Sequence, residues 1–138
     1  MKIELFNRGN ETLARTLEDV SYKYTSKNKE ITVFVKEGFI FDGASIPKVL
    51  WGIIGSPFSG KYRMAALIHD ALYTVHDVDR KEADDIFFNQ MKAEGVARWR
   101  MYAMYSAVRF FGGSSYRTDS HYSIDEAREF IIITKVAL

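Results

Sequence analysis

The chain has 138 residues, 47% of them hydrophobic and 14% aromatic, the size and composition of a single domain over 1–138 with a packed core. Nineteen basic against 18 acidic residues leave a formal charge of +1, too balanced to gather nucleic acid by charge alone, so nucleic acid is not an expected partner. There are no cysteines, which excludes disulfides, cysteine zinc sites and thiol nucleophiles.

No apolar run of signal-peptide or membrane-spanning length occurs, so the expectation is no transmembrane segment and synthesis in a cytosol. The first forty residues alternate like half-buried antiparallel strands. Ile3 and Leu5 precede a turn at 7–10. Val20, Tyr22 and Tyr24 precede a turn at 25–28, and Ile31, Val33 and Val35 follow it. Three antiparallel strands are predicted. The stretch 39–47 reads as a strand end entering a turn, and Pro47 is placed to open a short helix through Trp51.

Three longer helices follow. Over 61–73, Met64, Leu67, Ile68, Ala71 and Leu72 share one face, while His69, Asp70 and Tyr73 share the other. Over 80–94, Asp79 and Glu82 form a capping-box pair and Gly95 stops the helix. Its apolar stripe of Phe87, Phe88 and Met91 contains a carboxylate, Asp84. The third helix, 97–111, is apolar over most of its circumference, with a polar stripe of Arg98, Tyr102, Tyr105 and Arg109. At the C-terminus, Ser123 and Glu126 have capping-box form and 131–134 is β-branched, so a short helix feeding a final strand is expected. The fold class is therefore α+β: an N-terminal antiparallel sheet packed on a three-helix segment that contains an antiparallel helical hairpin.

Asp84 is the most informative residue, because an ionised carboxylate facing a core demands a partner. Of three histidines, His69 is the one inside a well-patterned helix, on the face away from the aliphatic stripe. Antiparallel packing across the short 74–79 connection would bring the two together. Asp84 would then fix the imidazole tautomer and leave the second ring nitrogen free, as in a general base oriented by an acid. The alternative is a satisfied structural hydrogen bond. Asp70, next to His69, is a candidate hard-metal ligand, and calcium would require further oxygens. Asp42, in the turn Asp42-Gly-Ala-Ser45, is a candidate for one of them, or else an ordinary turn residue. Tyr73 is a supporting hydrogen-bond donor near the carboxylates.

Asp42-Gly-Ala-Ser45, His69-Asp-Ala-Leu-Tyr73 and Asp84-Asp-Ile-Phe87, in this order and spacing, resemble small bacterial and fungal phospholipases A2. That resemblance implies His69 as the base that activates water and Asp84 as its orienting partner. It also implies Asp70 and Asp42 as calcium ligands, with a phospholipid or other ester as substrate. Ala44 stands where that family has cysteine, and those all-helical enzymes lack the N-terminal strands. The same segments more closely resemble a family of tailed-bacteriophage proteins without an assigned activity. Those proteins share a Phe-x-x-Asp-x-Ala-Ser-x-Pro stretch, a following Trp, His-Asp-x-Leu-Tyr, Arg-x-x-Ala-Asp and Val-Arg-x-Phe-Gly. The matches here run from Phe39, Asp42, Ser45, Pro47 and Trp51 through His69, Asp70, Tyr73, Arg80 and Asp84 to Arg109 and Gly112.

The two resemblances imply a protein made in the host cytoplasm and either of two roles. One is a calcium-assisted lipid-ester hydrolase acting at the host envelope, with Ser45 and Tyr73 in support. The other is a non-catalytic virion or tail component, or a host-directed binding module, with other virion proteins as partners and a structural His-Asp network. Metal-dependent phosphohydrolase chemistry is disfavoured, because no histidine precedes His69. His76 and His121 read as loop residues. Ser45 lies in no nucleophile-elbow sequence. Arg98, Arg100, Arg109 and Arg117 lie in an acid-free, aromatic-rich segment. It reads either as an anionic-surface patch or, preferred, as arginines snorkelling along a buried helix.

Overall fold

The computed structural model describes residues 1–44, 46–58, 60–117 and 122–138. The chain is α+β, with two antiparallel sheets and a layer of helices. The first sheet has the order β1-β2-β5, from Ile3–Arg8, Glu11–Thr16 and Ile40–Phe41. The second has the order β3-β4-β6, from Val20–Thr25, Lys29–Val35 and Ile131–Ala137. The hairpin of β1 and β2 closes through Gly9 at φ 62°, a left-handed turn position that glycine adopts without strain.

Three N-terminal strands were expected, and the structure adds β2. Its inward residues Leu13, Ala14 and Thr16 do not alternate strictly with polar ones, so the period-two signal is broken there. The strands also divide between two sheets, each completed by a segment from later in the chain. The C-terminal expectation matches the structure. Ser123 and Glu126 form a reciprocal capping box on the short helix α6, Ile124–Ala127, which feeds β6.

A 3₁₀ turn at Lys48–Leu50 runs into the short helix α1, Trp51–Ile54. The three long helices are α2, Arg63–Val75, α3, Arg80–Ala93, and α4, Arg98–Phe111, with α5 at Gly113–Arg117. Helix α2 is central: every residue from Ala65 to Val75 is buried. Its aliphatic side, Leu67, Ile68, Ala71 and Leu72, joins Ile31, Val33 and Val35 of β4 and Phe39 and Phe41 around β5 in one apolar cluster. Its other side, through Tyr62, Ala65 and Ala66, joins Phe87 and Met91 of α3 and Met101, Met104 and Val108 of α4 in a second. The face that carries His69, Asp70 and Tyr73 is therefore covered, not open as simple amphipathicity predicts. The two apolar clusters flank it, and its polar groups must find partners inside.

Candidate active site

Helix α2 ends on His76, a left-handed C-cap at φ 61° stacked on Tyr116 at 4.3 Å. Helix α3 starts at once from Asp79, whose side chain accepts from the Glu82 amide at 2.7 Å. This tight connection returns α3 along α2 and sets Asp84 against His69. His69 Nε2 lies 2.6 Å from Asp84 Oδ1, and the Tyr73 hydroxyl donates to the same oxygen at 2.5 Å. The second carboxylate oxygen, Oδ2, accepts from the Arg109 guanidinium at 2.7 Å. His69 and Asp84 are both fully buried.

Arg80 completes the surround. Its Nε donates to the Tyr73 hydroxyl at 3.3 Å, and its terminal nitrogen donates to the carbonyls of Val108, at 2.9 Å, and Arg109. The guanidinium thereby ties α3 to the last turn of α4. Gly112 closes that turn where a Cβ would stand 2.8 Å from the Tyr73 hydroxyl, so only glycine lets the backbone approach so near. Burial pushes the Asp84 carboxyl up, but bonds from His69, Tyr73 and Arg109 outweigh it and hold the carboxyl below its ordinary range. Burial, then the adjacent carboxylate, push the Tyr73 hydroxyl well up, so it stays protonated and can donate. The bond to Asp84 raises Arg109 further. With the neighbouring carboxylate ionised, His69 carries its proton on Nε2. Its Nδ1 is buried and has no hydrogen-bond partner among the described residues.

Asp70, one residue on, faces the opposite way. Its Oδ2 accepts from the amides of Asp42 at 2.8 Å and Gly43 at 2.9 Å, and its Oδ1 accepts from Ala44 at 2.7 Å. Three successive amides converge on one carboxylate only because Gly43 and Ala44 both take positive φ, at 101° and 63°, forming an anion-binding nest. Burial, and then the carboxylate of Asp42, nevertheless hold Asp70 well above the ordinary aspartate range. This arrangement does not fit calcium. The ion needs six to eight oxygen ligands, whereas the turn presents its N–H groups to Asp70, and both Asp70 oxygens are taken. Among the described residues no cluster of three metal-ligating side chains occurs. Ser45, assigned a supporting role from the sequence, lies outside the described residues, as does His121.

The structure thus brings His69, Tyr73 and Asp84 together, and Asp70 and Asp42 together, as two separate groups. Arg109 and Arg80 were not assigned to the site from the sequence. A fully buried Asp still requires a cation, and Arg109 on the polar stripe of α4 was the signal available.

A family model described as "Protein of unknown function (DUF1353)" matches residues 15–108. The match takes in Asp42, His69, Asp70, Tyr73, Arg80 and Asp84 and ends one residue before Arg109. Two uncharacterized proteins of Sinorhizobium fredii are similar. One, y4jT, is 43% identical over 83 residues, which are 56% of this chain and 23% of that protein. The other, y4iH, is 38% identical over 71 residues, 51% of this chain and 30% of that protein. The chain therefore spans less than a third of the length of these relatives. No solved structure gives a significant match.

Proposed function

The chain belongs to the DUF1353 family of proteins of unknown function, and from that premise we propose that it hydrolyses an ester, a phospholipid in the first instance, with His69 as general base. One observation carries this reading: Asp84 fixes His69 Nε2 at 2.6 Å while Nδ1 is left without a partner. A buried nitrogen left unpartnered costs about 1–3 kcal/mol, and this one belongs to a ring that a carboxylate holds from its other side. In the proposed step a water at Nδ1 gives its proton to His69 as its oxygen attacks the ester carbonyl. The imidazolium is stabilised by Asp84, and the proton then passes to the leaving alcohol, so ester and water become acid and alcohol. Tyr73 and Arg109 hold Asp84 so that the ring keeps one orientation through both transfers. No step is routed through calcium, because Asp70 is committed to the turn.

The imidazole is fully buried, so the reaction requires the cover over it to move before water and ester reach Nδ1. Sealing favours a second reading, a non-catalytic phage virion or tail component, or a host-directed binding module, in which the network only locks α2, α3 and α4 together. The phage setting and the host envelope belong to the proposal and rest on the motif resemblance. Release of fatty acid from mixed phospholipid vesicles tests the first reading. Wild type should release it, and His69→Gln, which keeps a donor toward Asp84, should not. Equal release by the two proteins, or none by wild type from vesicles and soluble esters alike, would leave the second.

A further inference from the structure

Helix α4 turns Met101, Met104, Ala107 and Val108 into the core. Its outward side carries large aromatics that are half or more exposed: Trp99 is 56% exposed, Tyr102 54% and Phe110 81%. At about 100° per residue, Trp99, Ser106 and Phe110 fall on one line along the helix, with Tyr102 beside it. At about 1.5 Å per residue that line runs roughly 16 Å, or three turns. Arg98 and Arg109 border it on one side and Arg100 on the other.

The cations at the Trp99 end of this face lack acidic partners among the described residues, while farther along Asp85, paired with Lys81, lines a hollow with Tyr102, Tyr105 and Ser106. No acidic residue occurs from Gly95 through Arg117. Arg109 is spent on Asp84, but Arg98 has no ion pair among the described residues, and Arg100 lies against the Trp99 and Tyr62 rings at 4.9 and 5.7 Å. Two hollows flank the start of the helix. One of about 400 Å³ is lined by Lys61 and Arg100 and the other, of about 440 Å³, by Lys92 and Arg98. The four cations surround the Trp99 end of the stripe, with Glu94 as the nearest acid in sequence.

We propose that the outward face of α4 docks on an anionic lipid bilayer, with Trp99, Tyr102 and Phe110 entering the interface and Arg98, Arg100, Lys61 and Lys92 meeting phosphate headgroups. Aromatic rings with a polar edge suit the water–lipid boundary, and a convex helix face that is apolar along its ridge and cationic at its borders can lie in that plane. A single-stranded nucleic acid would call for a continuous cationic groove that tracks its backbone, whereas here the cations gather at the Trp99 end in two separate hollows. Making the bilayer the place where His69 meets its ester rests on the hydrolase reading, whereas the docking does not.

Co-sedimentation of the intact chain with vesicles tests the docking. The probes are phosphatidylcholine alone and phosphatidylcholine with about 30% phosphatidylglycerol, at low and physiological salt. Wild type should bind the anionic vesicles at least about tenfold more tightly than the neutral ones. Added salt should weaken that binding. Trp99→Ser with Phe110→Ser should lose about tenfold or more on the anionic vesicles, and Arg98→Gln with Arg100→Gln should lose the anionic preference. The aromatic pair should melt as wild type does, since both rings are more than half exposed, and Arg98→Gln alone checks the charge effect should the pair that includes the partly buried Arg100 melt lower. His69→Gln should bind unchanged whether or not the protein is an esterase, which separates a failure of docking from a failure of catalysis. Absence of anionic preference in wild type, undiminished binding by the aromatic pair, or retention of a short DNA strand in place of vesicles would each overturn the proposal.

Discussion

Residues 69 and 70 are neighbours on α2, yet they anchor two buried polar centres of opposite construction. His69 looks toward α3 and α4 and meets side chains: Asp84, held in turn by Tyr73 and Arg109. Asp70 looks toward the turn after β5 and meets three backbone amides in a row, with the Asp42 carboxyl beside it. In the Asp70 centre both carboxylate oxygens accept amides and the product is a shape, two residues held at positive φ. In the His69 centre one ring nitrogen is unused. The adjacency also shows that a His-Asp dipeptide on a helix does not put both side chains into one site, because 100° of rotation sends them to different partners.

The contrast can be broken at either centre, and Asp84 should give the largest effect. Asp84→Ala leaves the Arg109 guanidinium, the Tyr73 hydroxyl and His69 Nε2 without their shared acceptor. Breaking a buried charge pair costs about 3–5 kcal/mol. Denaturant unfolding measures this, and a loss below about 1 kcal/mol would mean that the network does not hold the helices. Asp70→Ala should come next, at about 2–3 kcal/mol. It strips three charge-assisted bonds, but burial and the charge of Asp42 already offset part of their worth. Its specific signature is hydrogen exchange: the amides of Asp42, Gly43 and Ala44 should be protected in wild type and lose protection together in the variant. His69→Gln should be milder still for stability, about 1–2 kcal/mol, since a donor toward Asp84 remains. The same substitution should abolish ester hydrolysis. That dissociation would distinguish the two centres, because no Asp70 variant can lose activity without first losing its turn.

Much of this arrangement is legible in the sequence. A carboxylate on the apolar stripe of α3 needs a partner, and the short 74–79 connection makes His69 reachable. The capping pairs at Asp79 and Ser123 mark helix starts directly, because one side chain and one amide suffice to make a cap. What stayed hidden depends on contacts between distant segments. The role of Arg109 requires knowing that the end of α4 crosses the α2–α3 pair. The bonds of Asp70 require knowing that the 42–44 turn presents its amides to α2, which no local pattern encodes. Helix α4 reads as apolar nearly all round, which predicts burial. The structure buries one face and leaves Trp99 and Phe110 exposed, because no element among the described residues lies outside it to cover them.

The smallest expected effect concerns Asp42, and it follows from the signs of two titrations. Asp70 has its folded pKa raised above the unfolded value of 3.8. The folded chain therefore binds a proton there before the unfolded chain does, and stability at this centre increases as pH falls from neutrality toward that value. Asp84 has its folded pKa lowered, so its contribution is full above the unfolded value and is lost only as pH falls below it. Acidification should first relieve the Asp70 centre and then dismantle the Asp84 centre. Asp42→Asn removes the like charge that, after burial, contributes most to the raised value. It should stabilise the protein by about 1 kcal/mol at neutral pH and flatten the slope between neutrality and the ordinary aspartate range. The steep acid limb due to Asp84 should stay where it is. Thermal melts of both proteins across this range measure the two limbs separately. An unchanged slope on the neutral side would mean that the Asp42 charge does not act on Asp70, and an acid limb that moved in Asp42→Asn would mean that the two centres are coupled through α2.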